Sequence, residues 1–333
     1  MNATSLTQNA MNIIQSRGQF GLLHACKKIM ANQYDNGTVC EALHYYAQTV
    51  LPNVLPIFPA LIYLSSKASG TIPKNLQPVA TAMLLITSSG DIHDDIVDNS
   101  TRKFSRKTVV GKYGRDIALL AGDLLLIHGM SALQNECNLS NEQKKMLLDL
   151  VAASMVEIVK AEAREASLWQ KADVTPEEYF EVIKLKGGVA ELHCKIGGII
   201  SGGDEEIIDD LARYGRVIGI LSTLKEEFVD MSSSVELDHR IKRELPPYPM
   251  LCALQNKASN YALAFARRDK FFLKDLRRVS ETVLGSLEVE ELNAEFREFG
   301  RKELADNQLL KGNERAGELV VLLEALTEEL AIV

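Results

Sequence analysis

Ile92-His93-Asp94-Asp95-Ile96-Val97-Asp98 sets three carboxylates within five residues of an otherwise apolar run. On a helix, residues four apart stack one turn above the other, so Asp94 and Asp98 share a face with Asp95 beside them. Converging carboxylates repel unless a cation or a proton compensates. An all-oxygen set suits Mg²⁺, a hard ion that keeps waters and bridges to substrate phosphate. A solvated acidic face has the same composition, so this cluster alone does not separate a metal site from surface. A second cluster, Glu226-Glu227-Phe228-Val229-Asp230, repeats the spacing about 130 residues later, behind the apolar run Val217-Ile218-Gly219-Ile220-Leu221. Buried acids need partners. Two acidic helices facing each other across metal ions and a diphosphate would satisfy both sets.

Outward from these clusters the pattern is helical. Apolar residues recur at three- and four-residue spacing in DIALLAGDLLLIHGMSAL and KKMLLDLVAASMVEIVKAEA, the signature of amphipathic helices. The nine prolines cluster around Pro52–Pro78, at Pro176 and at Pro246–Pro249, and they punctuate helices because proline lacks a donor. Thr175, Pro176 and Glu178 form a helix start with a capping box, and Ser140-Asn-Glu-Gln marks another. No repeat or Gly/Ser linker is present. The expected fold is all-α: one helical domain over residues 1–333, a large bundle with the active site in its central cavity.

Composition narrows the function. The formal charge of −8 and pI near 5.4 argue against nucleic-acid binding, which needs clustered Lys and Arg. Five dispersed cysteines, Cys26, Cys40, Cys137, Cys194 and Cys252, without CxxC pairs, read as reduced core thiols of a cytoplasmic protein. The first twenty residues lack a basic-then-apolar signal pattern. No apolar run of about 18 residues suggests a span, so any membrane contact is expected at the surface.

IHDDIVDNSTRK followed by KYGRDIALLAGDLLL resembles the first aspartate-rich motif, the basic pair and the Gly-Asp helix start of the trans-prenyltransferases, or polyprenyl synthetases, of the class I isoprenoid synthase fold. The resemblance covers roughly residues 40–260. It implies that Asp94, Asp95 and Asp98 hold Mg²⁺, with Glu226, Glu227 and Asp230 as the second metal-binding motif. It also implies diphosphate binding by Arg102, Lys103, Lys186 and Lys242, a prenyl pocket lined by Ser89, Gly90 and Thr223, and a homodimer. The implied reaction is Mg²⁺-dependent ionisation of an allylic prenyl diphosphate. Fixed positive charge lowers that barrier by neutralising the departing pyrophosphate.

The sequence departs from the family at the second-substrate site. Chain-elongating members carry a GKRxRP-like segment that binds isopentenyl diphosphate; here Leu51-Pro52-Asn53-Val54-Leu55-Pro56 has no basic residue, and a family histidine is replaced by Thr87. Several charge-assisted hydrogen bonds, each of about 1.5 to 3 kcal/mol, are thereby lost. Ser222-Thr223 replaces Phe-Gln, and glutamates replace two aspartates in the second motif. Ser88, Ser89 and Gly90 form a small-residue floor that implies a long prenyl chain. The expected function is transfer of that chain, with an acceptor other than isopentenyl diphosphate favoured. The alternatives are a class I terpene cyclase and a catalytically weak subunit of a hetero-oligomeric prenyl diphosphate synthase.

Overall fold

The computed structural model describes residues 3–31, 37–103, 106–169, 171, 173–255 and 273–329; the last five positions of the 40–260 resemblance lie outside them. Helices follow in the order α1 (Ala3–Ala31), α2 (Thr38–Tyr45), α3 (Ile57–Ala68), α4 (Leu76–Val97), α5 (Val109–Tyr113), α6 (Arg115–Asn135), α7 (Asn141–Trp169), α8 (Pro176–Lys186), α9 (Gly188–Ile200), α10 (Glu205–Ser232), α11 (Ser234–Arg243), α12 (Tyr248–Gln255), α13 (Leu273–Leu284), α14 (Leu287–Asp306) and α15 (Gly317–Glu329). The all-α expectation holds. A π-turn, Tyr46–Val50, and a 3₁₀ turn, Leu51–Asn53, extend α2.

Local chemistry sets the helix starts. Thr175 Oγ1 accepts from Glu178 N and the Glu178 carboxylate accepts from Thr175 N, both at 3.3 Å, which closes the capping box ahead of Pro176. Ser140 and Gln143 exchange the same pair of bonds before α7. Pro59, Pro78, Pro176 and Pro249 all fall in first turns, where a missing N–H costs no ladder bond.

Packing of α4 on α6, of α3 and α10 on α9, and of α7 on α8 and α9 builds the body of the bundle. Its core includes Leu61, Leu64, Tyr179, Tyr214, Leu221 and Phe228. One close approach positions the site. The α8–α9 junction at Gly187 lies so near α10 that a Cβ on Gly219 would stand 2.5 Å from Gly187 O, so only glycine fits there. Lys186 ends α8 at this junction. Beyond α4, β1 (Arg102–Lys103) and β2 (Arg106–Lys107) form a small antiparallel ladder pairing Arg102 with Lys107 and Lys103 with Arg106.

Candidate active site

The end of α4 carries four acids, one more than the motif suggests. Lys103 lies 3.1 Å from Asp91, 3.6 Å from Asp94 and 3.0 Å from Asp95, and Tyr46 Oη donates to Asp91 at 3.2 Å. Burial works against the Lys103 charge, but the three carboxylates outweigh it and raise its pKa. Asp95 is almost wholly buried. Burial pushes its carboxyl up to about 7, with Asp91 and Asp94 adding and Lys103 opposing.

The other face of the same turn meets α7. Oxygens of Asp94, Asp98 and Glu162 lie within 4.8 Å of one another. Burial, then Asp94, pushes Asp98 up to about 8; Glu244 and Glu162 add to this and Lys186 opposes. Lys186 sits 3.2 Å from Glu162 and 2.6 Å from Glu165. Desolvation disfavours its charge, yet these acids hold its pKa well above the ordinary value. Three close oxygen donors, of which burial raises the pKa of Asp98 and Glu162, fit a hard divalent ion.

The second motif is occupied from within the fold. Arg240, buried near the end of α11, donates to Glu227 Oε1 at 3.0 Å, Glu227 Oε2 at 3.1 Å and Asp230 Oδ2 at 2.7 Å. Tyr179 Oη and Tyr248 N also donate to Glu227, at 2.9 and 2.8 Å. Every Glu227 oxygen is thus satisfied by protein. Glu226 is exposed on the site side of α10; the protein around it, then Asp230 and Glu227, raise its pKa, while Lys186 and Lys103 oppose this from across the site.

The structure thus brings Asp94, Asp95, Asp98, Lys103, Lys186 and Glu226 into one electrostatic neighbourhood and ties Glu227 and Asp230 to Arg240. Lys242 is held instead by Asp238 one turn away, at 2.6 Å. Arg102 is exposed on the ladder face opposite Lys103. Ser89 is buried, whereas a Cβ on Gly90 would meet nothing within 4 Å. Thr223 and Thr87 donate to carbonyls of their own helices, and His93 lies 3.3 Å from Asp123. Sequence reading missed Asp91, Glu162, Glu165, Arg240 and Glu244. The i, i+3 spacing of Glu162 and Glu165 was a signal, but one shared with any charged helix face.

An acid-rich end on a bundle of long helices defines an all-α protein of the isoprenoid synthase type. The family model described as polyprenyl synthetase matches residues 43–270, and the chain belongs to that family. It is 34% identical over 181 residues to a short chain isoprenyl diphosphate synthase of Methanothermobacter thermautotrophicus, covering 54% of this chain and 55% of that protein. It is 28% identical over 187 residues to the geranylgeranyl diphosphate synthase of Methanosarcina mazei, covering 55% and 57%. The chain thus spans about half the length of the curated relatives it matches. In fold it is similar to the geranylgeranyl pyrophosphate synthetase of Pyrococcus horikoshii, with a TM-score of 0.82 at 22% identity over 96% of this chain and 98% of the other.

Proposed function

We propose that this chain ionises a long-chain allylic prenyl diphosphate and transfers the prenyl group in isoprenoid biosynthesis. The observation that carries this reading is the convergence of Asp94, Asp98 and Glu162 beside Lys186. These three residues would hold Mg²⁺, and the bound ion would supply charge neutralisation to the departing diphosphate. Lys186 and Lys103 add fixed positive charge, each anchored by two or more carboxylates and therefore preorganised.

Incubation of the purified protein with Mg²⁺ and allylic diphosphates of increasing length, with and without labelled isopentenyl diphosphate, tests this by product mass. Prenyl transfer is expected, and Asp94→Ala should abolish it with helical content unchanged. Hydrocarbon from the allylic substrate alone would replace transfer by cyclisation. Arg240 bonded to Glu227 and Asp230 favours a second reading, a weak subunit beside an active homologue, for which no mixture would turn over. The unpaired cysteines support a cytoplasmic site of action, with membrane contact confined to the surface. Exposed Leu119, Leu120, Ile127, Val156 and Val159 on α6 and α7 support a homodimer.

A further inference from the structure

The family resemblance implies a second metal site at Glu226, Glu227 and Asp230, and the residues around them do not fit one. An ionised carboxylate has about four lone-pair positions. Glu227 fills them from protein: Oε1 accepts from Arg240 Nη1 at 3.0 Å and Tyr179 Oη at 2.9 Å, and Oε2 accepts from Arg240 Nη2 at 3.1 Å and Tyr248 N at 2.8 Å. No position is left for an ion. Asp230 Oδ2 accepts from the same Arg240 Nη1 at 2.7 Å. That nitrogen therefore stands between the two carboxylates, in the place a bridging ion would need. Glu226 remains, a single carboxylate exposed on the site side.

Arg240 is fully committed to this position. Besides the contacts of Nη1, Nη2 also donates to Tyr179 Oη at 2.8 Å, and Nε meets Leu245 O at 3.1 Å and Glu244 Oε2 at 3.0 Å. A guanidinium keeps its charge at any working pH, and its planar fork matches the two oxygens of a carboxylate. Its acceptors come from α8, from α10 and from the turn between α11 and α12, so displacing it would strand several buried groups at once. The α4–α7 side differs. Among the described residues, Asp94, Asp98 and Glu162 are the one group of acids whose oxygens are spaced to share an ion. We propose that Arg240 is the built-in cation of the α10 motif, standing in place of a metal ion, so that divalent metal is taken up on the α4–α7 side alone. This deepens the prenyl-transfer reading above and rests on it for the metal at Asp94, Asp98 and Glu162. The α10 wall of the site is then compensated whatever the free Mg²⁺ concentration.

Manganese, which scatters anomalously, locates the metal in the unmodified protein. Crystals of the full chain soaked with Mn²⁺ and inorganic pyrophosphate should show anomalous density against Asp94, Asp98 and Glu162, and none within coordination distance of Glu226, Glu227 or Asp230. Calorimetric titration of Mg²⁺ into the chain saturated with inert farnesyl thiodiphosphate checks the same point in solution. Glu226→Gln and Asp230→Asn, neither of which removes the Arg240–Glu227 pair, should bind as many ions as the parent with affinity within about twofold. Glu162→Gln should weaken binding at least about tenfold. Anomalous density on α10, or loss of an ion in either α10 variant, would overturn the assignment. Metal on neither wall would remove the Mg²⁺ site proposed above rather than the Arg240 role, whereas metal on both walls would remove only the Arg240 role.

Discussion

Two residues apart on α11, Arg240 and Lys242 have opposite fates. Arg240 neutralises Glu227 and Asp230 in the interior, and Lys242 pairs with Asp238 at the surface. Sequence order drew attention to the lysine because the residue that buries is set by how α11 turns back on α10, a long-range event. Arg240→Met should cost roughly 3 to 5 kcal/mol by leaving buried carboxylates uncompensated, and Lys242→Met less than about 0.5 kcal/mol. Chemical denaturation monitored by circular dichroism checks both. At the other cluster, Glu162→Gln should weaken Mg²⁺ binding at least about tenfold, readable by calorimetry; unchanged affinity would remove Glu162 from the donor set. Asp95 and Asp98 also predict a pH dependence. Their folded pKa values of about 7 and about 8 lie above the ordinary carboxylate value of ~3.9. The metal-free fold therefore holds these protons more tightly than the unfolded chain does. The associated stability is complete below about pH 4 and is lost as pH rises through 7 to 8. Scanning calorimetry in EDTA should show Tm falling from pH 6 to pH 9. Saturating Mg²⁺ should remove most of that fall, since metal binding expels the same protons.

Elements defined by local signals are legible in the sequence. The Thr175 and Ser140 caps, the first-turn prolines and the helical period of α4, α6, α7 and α10 all follow from nearest-neighbour chemistry. The two-residue strands were not, because alternation cannot be read over so short a run. Arg102 and Lys103 consequently resemble a pair in sequence while the ladder turns them to opposite faces. Glu162 and Glu165 stayed hidden for a related reason: α7 carries many charges, and only its packing against α8 selects which of them meet Lys186. The seam between Gly187 and Gly219 makes a prediction at this scale. Gly219→Ala places a methyl 2.5 Å from a backbone oxygen, and backbone yields only by moving the helix. A loss of about 1 to 3 kcal/mol is expected, together with lower turnover as Lys186 shifts. A stable and fully active variant would mean the junction is looser than its packing implies.

At the scale of the molecule, α6 and α7 expose Leu119, Leu120, Ile127, Val156 and Val159, apolar side chains of the kind that partner surfaces cover. Among the described residues, α6 is the one helix apolar and long enough to span a membrane, yet its Ala118, Ala121, Leu125 and Leu133 are buried on α4 and its neighbours. In the homodimer proposed above, its outer face would pack against a second copy of the chain. By light scattering the parent should then run as a dimer and Ile127→Asp combined with Val159→Asp as a monomer; a monomeric parent would remove the dimer.

The crowding of acids around Lys103 and Lys186 bears on the order of events. Even with Asp95 and Asp98 protonated in the metal-free fold, Asp91, Asp94, Glu162 and Glu165 outnumber the two lysines they surround, so the site presents a negative potential to an approaching polyanion. On the proposed function, a bare diphosphate would be repelled on encounter, and its less negatively charged magnesium complex would be repelled less. Association should therefore speed up with free Mg²⁺ in rapid-mixing experiments, and in metal-free buffer added salt should raise the capture rate rather than lower it, by screening the repulsion.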